Sequence, residues 1–154
     1  MGRRAVSSKV GAAADVPILL DTHALVWLLQ GSDRLGAKSR DLITAAANGS
    51  ASVLIAAISV WEVSMLVAKG RLALDRDVAE WIAAALALPG LRLAPLDPQI
   101  AIDATRLPGD IHGDPADRLI VATARHHAAT LVTDDQLILA YSACGHLRAH
   151  KAST

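Results

Sequence analysis

Asp21 closes the short apolar run Ile18-Leu19-Leu20, and an acid abutting a buried strand needs a partner. Glu62 follows a second apolar run, Ser52 to Ile58, and reads as a first-turn residue of the next helix. Asp117 stands in the first turn of a helix opened by Asp114-Pro115, a cap followed by proline. Asp134 and Asp135 follow the run Ala129 to Thr133. In an open parallel sheet, sites form beyond the carboxyl ends of the strands. Asp21, Glu62, Asp117 and one of Asp134 and Asp135 are therefore expected to converge there.

Converging carboxylates repel. Two unit charges about 4 Å apart cost about 4 kcal/mol at an effective dielectric of about 20. Such a cluster opposes folding unless it is protonated or neutralised. A divalent cation is the simple remedy, and all-oxygen ligands favour Mg²⁺ or Mn²⁺ over zinc. An ion held this way keeps open positions for water and phosphate oxygens. It can generate hydroxide and stabilise an in-line displacement, so phosphodiester hydrolysis is the natural reaction.

Each acid also has a plain structural reading. Ser59-x-x-Glu62 matches a capping box, worth about 1 kcal/mol at a helix start. Asp114 and Asp117 suit the positive end of a helix dipole. Asp21 could be a loop acid, and Asp134-Asp135 a solvated turn.

The elements that must position these acids alternate between strand and helix. Strands are expected at Ile18–Leu20, Ser52–Ile58, Leu91–Leu96 and Ala129–Thr133, with a last one near Leu147. Helices are expected over His23–Gln30, Ala37–Asn48, Ser59–Lys69, from Asp97-Pro98 to Leu107, from Asp114-Pro115 to about His127, and through Tyr141. Val78, Trp81, Ile82, Ala85 and Leu86 recur at the spacing of one helix face. This order implies an α/β fold: a three-layer α/β/α sandwich on a mostly parallel sheet of about five strands. Residues 1–16 read as a flexible tail, 17–150 as one domain and 151–154 as a second tail.

Composition narrows the classes. The 154 residues are 53% hydrophobic and 19% charged, which excludes a disordered chain. Fifteen basic and fifteen acidic residues cancel, so bulk positive charge does not argue for a nucleic-acid partner. The single cysteine, Cys144, excludes an internal disulfide and a multi-cysteine zinc site, and fits a reducing compartment. With no Phe, three Trp and one Tyr, a base-stacking platform of exposed aromatics is not expected. No segment reaches the roughly 18 apolar residues of a membrane span, and the N-terminal stretch lacks a secretory apolar core.

Taken together the motifs resemble the PIN-domain family, and within it the VapC-like toxins of type II toxin–antitoxin modules. Leu19-Leu20-Asp21-Thr22-His23-Ala24-Leu25-Val26-Trp27 is similar to the family's first strand and first acid. Ser59-Val60-Trp61-Glu62-Val63, running on to Lys69-Gly70-Arg71-Leu72, is similar to its second block. Leu107-Pro108 and His112-Gly113-Asp114-Pro115-Ala116-Asp117-Arg118-Leu119-Ile120 resemble the third, with Asp117 on the acid position. Leu131-Val132-Thr133-Asp134-Asp135 resembles the Thr-x-Asp block and puts Asp135 on the fourth acid.

The resemblance implies a metal-dependent endoribonuclease, cytoplasmic and dimeric, that cleaves RNA with metal-activated water and is held inactive by a cognate antitoxin. It implies Asp21 and Asp117 as metal ligands, with Glu62 and Asp135 completing the site directly or through water. A DNase on the same fold and an inactive binding module are the rivals. A phospho-accepting receiver domain would need an acidic pair after the first strand and a late lysine, which this chain lacks.

Among the remaining candidates, Thr22 and Thr133 could orient water or carboxylates, although a threonine at a strand end is more often merely structural. His23 and His112 are candidate general bases, but His23 is expected in a hydrogen-bonded structural role, and His112 could contact RNA or water. Arg118 is expected either to pair with Asp117 or to touch phosphate. Arg3, Arg4, Lys9, Arg71, Arg76 and Arg125 are candidates for a local basic patch. Trp61 and Trp81 could line a groove for a partner or simply fill the core.

Overall fold

The computed structural model describes residues 15–154. The expected N-terminal tail, with Arg3, Arg4 and Lys9, falls almost wholly outside them. Five strands form one parallel sheet: β1 (Ile18–Leu20), β2 (Val53–Ala56), β3 (Leu91–Ala94), β4 (Thr130–Thr133) and β5 (Arg148–Lys151). Their spatial order is β3-β2-β1-β4-β5. Seven helices connect the described strands: α1 (Thr22–Gln30), α2 (Ala37–Asn48), α3 (Ala57–Ala68), α4 (Val78–Ala87), α5 (Pro98–Asp103), α6 (Pro115–His126) and α7 (Gln136–Ala143).

Alternation along the strands builds two cores. Ile18, Leu20, Val53, Ile55 and Val132 point to one face, where they pack with Leu25 of α1, Ile43 of α2 and Trp81 and Ala85 of α4. Leu19, Leu54, Ala56 and Leu131 point to the other, against Ile100 of α5, Ile120 and Val121 of α6 and Ile138 of α7. The expected sandwich and parallel sheet are therefore present. Among the described residues, no helix is long and apolar enough to cross a membrane.

The strand order reverses direction at β1. Ile18 pairs with Val53 on one side and with Thr130 on the other. The carboxyl ends of β1 and β4 thus lie side by side at the switch point, where a parallel sheet opens a crevice.

Several boundaries differ from expectation. β2 ends at Ala56 and α3 begins at Ala57, so Ile58 and Ser59 are helical. The capping box is absent, since Ala56 occupies the cap position without a side-chain bond. Glu62 consequently sits in the second turn of α3, not the first. β3 is two residues shorter than its apolar run, and α5 stops at Asp103.

Residues 151–154 are not a tail in the structure. Lys151 ends β5 and Ala152 is buried. The carbonyl of Thr154 accepts from the Ser39 N–H at 3.1 Å. Such backbone pairing holds the segment against the start of α2.

Candidate active site

Asp21 leaves β1 as the cap of α1, with Oδ1 accepting from the Ala24 N–H at 2.8 Å. Its Oδ2 accepts from the Thr133 hydroxyl at 2.6 Å, across 112 residues of sequence. Thr133 Oγ1 in turn accepts the Asp135 N–H at 3.0 Å. One hydroxyl at the end of β4 therefore ties the acid after β1 to the acid after β4. The Asp135 Oδ1 caps α7 by accepting from the N–H groups of Leu137 and Ile138, both at 2.9 Å.

Glu62 is held from the neighbouring element. Thr22 Oγ1 lies 2.7 Å from Glu62 Oε1 and 3.1 Å from Ser59 Oγ. A carboxylate only accepts, so the single Thr22 proton serves Glu62 and the hydroxyl accepts from Ser59. Ser59 and Thr22 are both buried. Ser59 and Glu62, three residues apart, share one face of α3 and meet α1 there.

Asp117 comes from the first turn of α6, where Asp114 caps the helix by accepting the Asp117 N–H at 3.0 Å. Asp21, Glu62, Asp117, Asp134 and Asp135 line one cavity of about 400 Å³, together with Thr22, His23, Trp27 and Ile120. Asp134 spends Oδ1 on the Ser153 N–H at 2.9 Å. Asp135, by contrast, belongs with Asp117 and His112 to a group whose ligand atoms all lie within 4.8 Å of one another.

The electrostatics follow from burial first and from this crowding second. Burial raises the Asp21 carboxyl above its ordinary range, although its hydrogen bonds from Thr133 and Ala24 oppose the shift. Burial likewise pushes Asp117 up to about 6, and the charges of Asp114 and Asp135 add to the effect. These carboxylates resist ionisation alone, which is the condition a divalent cation would relieve. The donors fit such an ion, because each acid keeps oxygen lone pairs that no protein group occupies.

The other sequence candidates divide. Thr22 and Thr133 orient carboxylates as one reading held. His112 places Nε2 3.3 Å from Asp117 Oδ2. His23 is exposed at the cavity rim, 6.2 Å from the Trp27 ring, and not bonded into the core as expected. Arg118 neither pairs with Asp117 nor faces the cavity. Its guanidinium donates to the carbonyls of Ala104 at 2.9 Å and Ile111 at 3.3 Å, fixing the loop before α6.

Trp81 is buried in the core while Trp61 is exposed, so the two do not form one groove wall. Arg125 lies near the amino ends of β4 and β5 and donates to the His146 carbonyl, far along α6 from Asp117. Sequence reading missed Ser59 as a link to Glu62, because its spacing matched a cap equally well. It also missed Trp27, whose helix read as core.

The family model of the PIN domain matches residues 18–142. Ribonuclease VapC22 of Mycobacterium tuberculosis is 34% identical over 119 residues, which cover 77% of this chain and 87% of that protein. The crystal structure of VapBC2 from Rickettsia felis bound to a DNA fragment from their promoter contains a similar chain. It matches at TM-score 0.64 and 18% identity, covering 88% of this chain and 98% of that one. FitAcB from Neisseria gonorrhoeae matches at TM-score 0.60 and 24% identity, covering 88% and 97%.

Proposed function

The chain belongs to the PIN-domain family, and from that premise we propose that it is a metal-dependent endoribonuclease, the toxin of a type II toxin–antitoxin module. The observation that carries the reading is the convergence of Asp21, Glu62, Asp117 and Asp135 on one cavity from four separate stretches of chain. Its relative named as a ribonuclease supports RNA as the substrate.

In this reading Asp21 and Asp117 would hold Mg²⁺ or Mn²⁺, and Glu62 and Asp135 would complete the site directly or through water. Such an ion would neutralise the carboxylates and supply Lewis-acid activation of water and phosphate. The protein's own part is to fix the donors. Thr133 aligns Asp21 with Asp135, and Thr22 aligns Glu62, so the oxygens need no reorganisation when substrate arrives. No side chain needs to form a covalent intermediate.

A cognate antitoxin and a second copy of the chain are the proposed protein partners, and the cytoplasm is the proposed place of action. The VapBC2 neighbour, solved bound to a DNA fragment from their promoter, supports the antitoxin.

The test replaces single carboxylates. Asp21→Asn and Asp117→Asn are expected to abolish cleavage of total RNA, to spare the far-ultraviolet circular dichroism spectrum, and to relieve growth arrest on expression without antitoxin. Undiminished cleavage by either variant would overturn the site.

A further inference from the structure

One wall of the acidic cavity is aromatic. Trp27 lines it together with Asp21, Glu62, Asp117 and Asp135. It follows Asp21 by six residues and shares a face of α1 with His23, four residues earlier. Helical side chains lean toward the amino end of their helix, so the ring tilts back toward the acids. Part of Trp27 packs on the core, and the rest is open to the cavity. The His23 ring, tilted 53° to it with centroids 6.2 Å apart, does not stack on the indole.

A bound ion has no use for such a wall. An ion with six waters fills roughly 200 Å³, at about 30 Å³ for each water. The cavity holds about 400 Å³. Space therefore remains beside the ion, and Trp27 and Ile120 give it an apolar boundary. That boundary suits a flat group with apolar faces and polar edges.

The chain after α1 is folded back on the ring. Gly31 ends the helix at φ +64°, and the Ser32 N–H donates to the Trp27 carbonyl at 2.9 Å. Arg40 donates to the carbonyls of Ser32 and Leu35, and the Arg34 N–H donates to Ser32 Oγ at 3.2 Å. These bonds fix the backbone at Arg34 while its side chain is exposed. The guanidinium carbon stands 6.0 Å from the centroid of the Trp27 ring, at the outer limit of cation–π attraction. A positive charge thus stands beside a cavity whose acids would otherwise repel a phosphate chain.

We propose that Trp27 is the base-binding residue of this site: the nucleobase next to the scissile phosphodiester stacks on its ring, and Arg34 meets the phosphate of that nucleotide. The inference rests on the nuclease reading and names the part of the substrate that the site grips. Stacking needs an exposed base face, so the substrate is RNA with an unpaired nucleotide at that position. Every base has such a face, so one ring selects single-strandedness more than sequence. A single ring grips one nucleotide and is no platform of several aromatics.

The first test needs no turnover. The three tryptophans give three indole signals in a ¹H–¹⁵N spectrum, and Trp27→Phe identifies that of Trp27. Adenosine 5′-monophosphate, added with Ca²⁺ at millimolar concentrations, is expected to shift the Trp27 signal saturably and leave that of buried Trp81 in place. Ribose 5-phosphate, which lacks the base, is expected to move neither. A Trp27 signal that stays still with the nucleotide, or moves equally with the sugar phosphate, overturns the proposal. A wild type that cleaves no RNA sinks the ribonuclease reading separately, while the spectrum still reads the base site.

The second test uses an RNA oligonucleotide that the wild type cleaves. Trp27→Ala is expected to raise KM about tenfold or more, and Trp27→Phe, which keeps a ring, to stay within about threefold of wild type. An abasic ribose on one side of the scissile bond is expected to cost the wild type about tenfold in KM but Trp27→Ala less than about twofold, because its stacking partner is already gone. Mn²⁺ affinity by calorimetry is expected to stay within about twofold in both variants, since neither alters an oxygen ligand. If alanine unfolds the chain, Trp27→Leu keeps the core contact without an aromatic face and serves the same comparison. An abasic penalty equal in the wild type and the variant overturns the assignment. Arg34→Ala is expected to raise KM about threefold and flatten its dependence on salt, and an unchanged salt slope overturns the role of Arg34.

Discussion

At the scale of single residues, Asp117 shows what burial, with other acids close by, costs the metal-free protein. Its folded pKa of about 6 lies above the unfolded value of 3.8, so folding favours the neutral carboxyl. That stabilising contribution is fully present below pH 3.8 and is lost as the pH rises through about 6. In chelator at about pH 8, Asp117→Asn is therefore expected to be more stable than wild type by about 1–3 kcal/mol. The gain should fade as the pH drops toward about 4, as measured by urea unfolding at each pH. A variant no more stable at the higher pH would remove burial and repulsion as the cause. The acids themselves were legible in sequence, because a strand end followed by Asp is a local signal. Thr133 and Ser59 were less so. Their roles depend on partners 112 and 37 residues away, and no local pattern encodes such a contact.

Among the elements, β1, α2 and the Asp114-capped start of α6 could be read from apolar runs, caps and turn residues. The start of α3 could not. Ser59-x-x-Glu62 satisfies the capping pattern, but burial of Ile55 and Ala56 in the sheet hands over to helix three residues earlier. Ser59 is then free to reach α1. The α4–β3 turn is a position where the backbone leaves no choice. Gly90 has φ +81°, and a Cβ there would come within 2.4 Å of the Ala47 carbonyl oxygen. Its own carbonyl accepts the Val53 N–H at 2.8 Å and starts the β2–β3 ladder. Gly90→Ala is expected to cost at least about 2 kcal/mol in denaturant unfolding, through strain and clash together. A loss below about 0.5 kcal/mol would show that the turn can relax.

For the molecule as a whole, parallel alternation of strands and helices predicted the layers, but not the strand order. Nothing in the sequence states that β1 lies between β2 and β4, and that placement is what makes one pocket from distant acids. Because the pocket exists only in the folded chain, an ion bound there must stabilise the whole fold. At a concentration about 100 times its Kd, Mn²⁺ is expected to add about 2.7 kcal/mol and raise the unfolding midpoint by roughly 5–10 °C. Asp117→Asn should lose most of that rise in a thermal scan, and an equal rise in the variant would place the ion elsewhere. The pairing of β1 with β4 has one more consequence, for the cell that makes the protein. Thr133 emerges from the ribosome 112 residues after Asp21, and Asp135 later still. Until then the nascent polypeptide has no fourth strand to close its crevice. The full set of acids can therefore assemble only after β4 has been made.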